Sequence, residues 1–164
     1  IFRVEAFDQL RRKFVGNFVN DVVINKKDIS RLINITLEGN GEHIYQLRGD
    51  GIIISSPIGS TAYSLAANGP IMHPSVPSFI VTPICPHSLT HRPIVLPNSF
   101  LLKVYSTEKN SNVLLTIDGQ EAQVISSENY LQIKRVSNRH ALIIKNEEKS
   151  YFHTLKTKFI LGRK

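Results

Sequence analysis

Tryptophan is absent from this chain, and cysteine and methionine occur once each. The lone cysteine, Cys85, excludes an internal disulfide framework and points to a reducing compartment. No apolar run approaches the ~18 residues of a membrane span, and no signal-peptide layout opens the sequence. Together these absences read as a soluble cytoplasmic domain with no membrane partner. Acidic residues are scarce as well, 13 Asp and Glu against 20 Lys and Arg, for a formal charge of +7. Such a balance would suit a polyanion. The basic residues are dispersed, however, apart from Arg11-Arg12-Lys13, Lys26-Lys27 and a tail with Lys156, Lys158, Arg163 and Lys164. Aromatics do not interleave with them as in nucleic-acid motifs, so a surface that accepts small polyanions, nucleotides included, is the better expectation.

What remains is an ordinary globular composition, with 41% hydrophobic and 20% charged residues over 164 positions, enough for one domain with a real core. Helical periodicity is scarce and alternation common. Phe2, Val4 and Ala6 oppose Arg3 and Glu5. Ile33, Ile35 and Leu37 alternate with polar neighbours, and after Asn40-Gly41 the alternation resumes over residues 43–47. Asn-Gly between two such runs predicts a tight hairpin, because both residues tolerate positive φ. Further strands are expected over 51–55, 78–82, 100–106, 112–117, 120–125, 130–136 and 140–145. Three consecutive isoleucines at 52–54 predict a strand covered on both faces. Short strands at this spacing give a mainly β domain, a two-sheet sandwich or a barrel-like arrangement, with the sandwich preferred. One short helix is expected near 61–68, with Ser60 as N-cap and Asn68-Gly69 as stop. Residues 150–159 form a possible second helix. All eight prolines fall between Pro57 and Pro97, which marks this third as rigid connection rather than central sheet.

Familiar catalytic signatures are missing. The sequence has no P-loop, no Gly-x-Ser-x-Gly elbow, and in "GDGIII" no third glycine of a dinucleotide fingerprint. Cys85, His87 and His91 lack a suitably spaced fourth ligand for zinc, so no metal site is expected. What survives is suited to a nucleotide. Asp21 and Asp50 each stand beside a strand end, in "NDVVI" and "GDGIII", as a ribose-binding carboxylate would. Tyr63 offers a flat face for a base. Gly59-Ser60-Thr61-Ala62 brings backbone amides to a helix start, where polar or anionic groups are favoured. Turn aspartates and a core tyrosine are the structural alternatives to each of these readings.

"RGDGIIISSPIGSTAYSLAANGPIMHP" (48–74), followed by "TPICPHSLTHRPIVLP" (82–97), resembles the carboxyl-terminal domain of NAD kinases. "NDVVI" (20–24) looks like the Asn-Asp/Glu motif of that family, and "TIDGQ" (116–120) like its Asp-Gly-Gln turn. The resemblance runs in family order from about residue 14 to the end. It implies a kinase that phosphorylates the adenosine-ribose 2′-hydroxyl of NAD to give NADP. ATP or polyphosphate would be the donor, with a divalent cation such as Mg. By the same resemblance Asn20 and Asp21 hold the ribose, and Thr61, Ala62 and Tyr63 line the adenine and ribose pocket. Asp50 lies near the nicotinamide, and Asp118 near the acceptor, from the same or a neighbouring subunit of a dimer or tetramer. Ala66 stands where a serine is usual, which removes one polar contact. The family's Gly-Gly-Asp-Gly loop, with its catalytic base, does not occur in these 164 residues. The expectation is therefore a binding domain over 1–149, inactive by itself, and a segment over 150–164 that would pack on an absent amino-terminal α/β domain. Alone, that tail is expected to pack poorly or to contact another copy. A lipid or sphingoid-base kinase relative and a non-catalytic nucleotide-binding module are the alternatives.

Overall fold

A computed structural model of the chain describes residues 1–9, 11–27, 32–108, 112–144 and 150–159. Its strands are β1 (Phe2–Asp8), β2 (Arg11–Phe18), β3 (Asp21–Lys26), β4 (Ile33–Gly39), β5 (Glu42–Gly49), β6 (Gly51–Ser55), β7 (Ser78–Ile84), β8 (Ile94–Pro97), β9 (Leu102–Ser106), β10 (Val113–Ile117), β11 (Glu121–Ile125) and β12 (Tyr130–Arg135). They form two six-stranded sheets. One is ordered β2-β1-β12-β9-β4-β5 and the other β11-β10-β3-β6-β7-β8, with antiparallel pairing throughout. The two-sheet sandwich expected from alternation is what forms.

The inner faces of both sheets meet in one core. Val4, Leu37, Leu102 and Ile133 enter it from the first sheet, and Val22, Ile52, Ile54 and Leu115 from the second. Each such side chain contributes about 1.5–3 kcal/mol on leaving water. Ile53 points the other way, into a smaller cluster with Val23, Ile84 and Ala67 on the outer face of the second sheet. This is why three successive isoleucines are all fully buried. That outer face carries the site described below.

Several local expectations hold. Asn40 and Gly41 take φ of 52° and 85° at the β4–β5 turn, and Asn68, at φ 65°, ends the short helix. The second helix, α2, spans Tyr151–Phe159. The helix near 61–68 is instead two pieces: a 3₁₀ turn at Ile58–Thr61 and a single α-helical turn, α1, at Tyr63–Ala66. Ala62 breaks them apart with ψ −132°. Ser60 does not cap α1. Its hydroxyl donates to Pro57 C=O at 2.6 Å and accepts Met72 N–H at 3.0 Å, which ties the 3₁₀ turn to the following loop.

Other expectations need correction. Residues 140–144 form no strand, and Lys145 lies outside the described residues. Both neighbours of β12 are already in place, β1 and β9, so the chain leaving it finds no open edge there. Leu142 and Ile144 are 91% and 89% exposed as a result. The proline-rich third is not merely connection, since β7 carries Pro83 and lies between β6 and β8. Pairing with β8 ends at Val81, so the missing N–H of Pro83 costs no bond on that side. Two strands, β2 and β8, were not anticipated. The α2 segment is mostly exposed, and its anchors lie near its start. Leu155 is buried, Tyr151 donates to Met72 C=O at 3.1 Å, and its ring meets His73 edge-on at 4.8 Å. Phe152 remains 63% exposed.

Candidate functional site

The site is built at one corner of the second sheet, where β2 turns into β3. Facing it is the hairpin between β10 and β11, whose turn residues Asp118 and Gly119 have φ of 47° and 66°. Asp and Gly are suited to those left-handed positions, and the geometry turns the Asp118 carboxylate back towards β3. The carboxylate accepts the N–H groups of Val19 at 2.9 Å, Asn20 at 2.8 Å and Asp21 at 3.0 Å. Asp118 N–H donates in turn to Asp21 C=O at 2.9 Å.

The opposite wall is the 3₁₀ turn and α1. Gly59 sits so close to the corner that a Cβ there would lie 2.0 Å from Asn20 O, so only glycine fits. Beneath α1, Ser64 Oγ and Thr82 Oγ1 share a hydrogen bond of 2.9 Å, seating the helix on β7. Tyr63 is thereby held at the mouth, 45% exposed. Between the walls lies an open cleft of about 290 Å³, lined by Asn20, Asp21, Val23, Asn25, Ala62, Tyr63, Thr116, Asp118 and Gly119.

Two carboxylates, Asp21 and Asp118, stand in this cleft among apolar and amide neighbours. Asp21 is only 4% exposed. Burial first, and then the neighbouring negative charge of Asp118, push its carboxyl up to about 6, while the backbone N–H of Tyr63 pulls the other way. That N–H is the first of α1. Above that pH Asp21 is an ionised carboxylate lining the cleft, suited to hydroxyl donors.

The sequence relationships agree with this geometry. The family described as ATP-NAD kinase C-terminal domain matches residues 19–146. The chain belongs to that family. It is 41% identical over 146 residues to an NAD kinase of Geotalea daltonii, covering 89% of this chain and 51% of that protein. An NAD kinase of Aquifex aeolicus is 40% identical over 152 residues, 93% of this chain and 55% of the relative. The chain thus spans about half the length of the curated relatives it matches. Among solved structures, yeast NADH kinase complexed with NADH superposes with a TM-score of 0.85 at 25% identity, over 99% of this chain and 50% of that one. An NAD kinase from Archaeoglobus fulgidus in complex with ATP shares the fold, with a TM-score of 0.69 at 23% identity, over 83% of this chain and 51% of the other.

Of the eight residues singled out from the sequence, Asn20, Asp21, Ala62, Tyr63 and Asp118 line the one cleft. Thr61 lies next to Ala62, with its hydroxyl directed to Ile58 C=O at 3.4 Å, and is not part of the lining. Ala66 is exposed on α1, outside it. Asp50 is separate. It precedes β6 at the far end from Ser55 and pairs with Lys26 at 2.6 Å. Val23, Asn25, Thr116 and Gly119 were not anticipated. Val23 and Asn25 alternate with Asp21 along β3, a signal that the period of two carries. Thr116 reaches the cleft only because β10 pairs with β3, opposite Val23.

Proposed function

We propose that this chain is the dinucleotide-binding half of an NAD kinase, an enzyme that phosphorylates the adenosine-ribose 2′-hydroxyl of NAD to give NADP. The observation that carries this reading is the ionisable Asp21 carboxylate held in the cleft beside the exposed ring of Tyr63. In the reaction Asp21 and Asn20 bind the ribose hydroxyls and so fix the acceptor. The face of Tyr63 stacks on the adenine, with Ala62 leaving room beside it. A carboxylate that accepts both vicinal hydroxyls orders the sugar without consuming it. Asp50 contacts the nicotinamide end, from this copy or a neighbour in a homo-oligomer.

ATP or polyphosphate supplies the phosphoryl group, with a divalent cation such as Mg. Charge on the transferred group must be neutralised and the acceptor proton removed for phosphoryl transfer. The base and the donor-phosphate groups belong to the other half of the protein, so the 164 residues alone bind substrate and do not turn it over. The whole enzyme works in the cytoplasm. The lipid-kinase alternative gains no support from the relatives found.

Calorimetric titration of NAD into the chain tests the reading. Saturable binding is expected, weakened roughly tenfold or more by Tyr63→Ala, the usual cost of losing an aromatic platform for a base. A folded chain that takes no NAD, or binds equally well without the Tyr63 ring, refutes it.

A further inference from the structure

The corner at Val19–Asp21 is gripped from both sides by residues remote in sequence. Its three N–H groups all go to the Asp118 carboxylate, and Asp21 C=O takes the Asp118 N–H. From the other side, the Ser56 hydroxyl donates to Val19 C=O at 2.5 Å, and Ser56 N–H donates to Asn20 C=O at 2.8 Å. All six backbone polar groups of these three residues are therefore engaged by two amino acids. The grip extends further, because the Ser56 hydroxyl also accepts Gly59 N–H at 3.0 Å, in the 3₁₀ turn that leads to Ala62 and Tyr63. Ser56 is 2% exposed and can reach nothing in solvent. What the corner has left to offer a ligand is its side chains.

We propose that Ser56 and Asp118 are positioning residues for the dinucleotide site, bracing the Val19–Asp21 corner so that the Asn20 and Asp21 side chains face the cleft before the ligand arrives. The inference rests on the dinucleotide reading above. It gives Asp118 a part in holding the corner, where its two oxygens accept three N–H groups. A site set in advance spares the ligand the cost of ordering it.

Asp21 reports on this brace. Of the residues lining the cleft, Asp21, Asp118 and Tyr63 alone titrate. Lys26 and Asp50, at the far ends of β3 and β6, are paired with each other. The experiment follows the Asp21 carboxyl by carbon-13 NMR between pH 4 and 9, and titrates NAD calorimetrically at the same pH values. It compares the wild-type chain with Asp118→Asn, Ser56→Ala and Ser56→Thr. In the wild type, the carboxyl signal and the affinity should turn over together near pH 6. Asp118→Asn keeps an acceptor but removes the charge, so both turnovers should move to lower pH. Affinity above pH 7.5 should also fall about tenfold, as one charge-assisted anchor is lost. Ser56→Ala should weaken binding at every pH without moving the turnover, and Ser56→Thr should restore it. An Asp118→Asn chain that binds NAD as tightly as the wild type, or in which the Asp21 turnover stays put, overturns the proposal. So does a Ser56→Ala chain with unchanged affinity. A wild-type chain that takes no NAD at any pH is a different failure and removes the dinucleotide reading itself.

Discussion

Replacing Asp21 by asparagine should make the fold more stable at neutral pH while it weakens the cleft. The folded chain raises the Asp21 carboxyl from 3.8 to about 6. The native state therefore holds this proton more tightly than the unfolded chain does. The resulting stabilisation is complete below pH 3.8 and is lost as pH rises through 6, so at pH 7.5 the ionised carboxylate is a net cost to folding. Two decades in proton affinity correspond to at most about 3 kcal/mol. The carboxylate faces an open cleft, and water screening there leaves about 1–2 kcal/mol. Asparagine keeps an oxygen to accept the Tyr63 N–H and carries no charge to desolvate. For a chain of this size Tm should rise by about 3–6 °C at pH 7.5, a gain that vanishes towards pH 4. Thermal unfolding of both chains at the two pH values measures this directly. A variant that melts lower than the wild type at pH 7.5, or gains equally at both, would show that Asp21 is not a strained carboxylate. The reasoning would then fail at its first step.

Two further outcomes follow from the packing. Gly59→Ala places a methyl group 2.0 Å from Asn20 O, against backbone that cannot turn aside. It should cost about 2–3 kcal/mol in urea unfolding, and a cost below about 0.5 kcal/mol would mean the corner is not tight. Glu5 lies on the outer face of the first sheet, 3% exposed, and pairs with Lys134 at 2.7 Å and Arg12 at 3.1 Å. The hydrogen bond from Lys134 contributes most to holding its carboxyl below the ordinary 4.5, so its stabilisation is present above that pH and fades as pH falls. Glu5→Gln should cost about 1 kcal/mol at pH 7 and progressively less in acid, and a cost that grows in acid contradicts the pairing.

Much of the fold was legible in the sequence because alternation is a local signal. Ile33, Ile35 and Leu37 declare a half-buried strand without reference to any partner, and Asn40-Gly41 declares its turn. The misreadings arose where a partner decides. Residues 140–144 carry the apolar run Ala-Leu-Ile-Ile of a strand, yet β12, which precedes them, is already paired on both sides, and they join neither sheet. Arg11–Phe18 has a basic beginning that disguises an edge strand, and pairing with β1 makes it one. Pro83 is tolerated in β7 because β8 stops two residues earlier. At the site, residue type and motif located Asp21 and Tyr63, while Thr116 became visible only through the β10–β3 register.

By itself, the sequence determined the β-rich class, the tight turns and the family, because these rest on side-chain period, permitted φ and residues close together in the chain. Tertiary structure alone decided what the aspartates do. Asp21 and Asp118 are 97 positions apart, and nothing local distinguishes either from a solvated turn residue. Pairing of β10 with β3 sets the two carboxylates against one corner, where the desolvation of one and the charge of the other raise the Asp21 pKa. Asp50 sits in an equally suggestive motif, but the sheet places it beside Lys26 and away from the cleft. Electrostatic character depends on distance through space and on exclusion of water, and only the folded chain sets both.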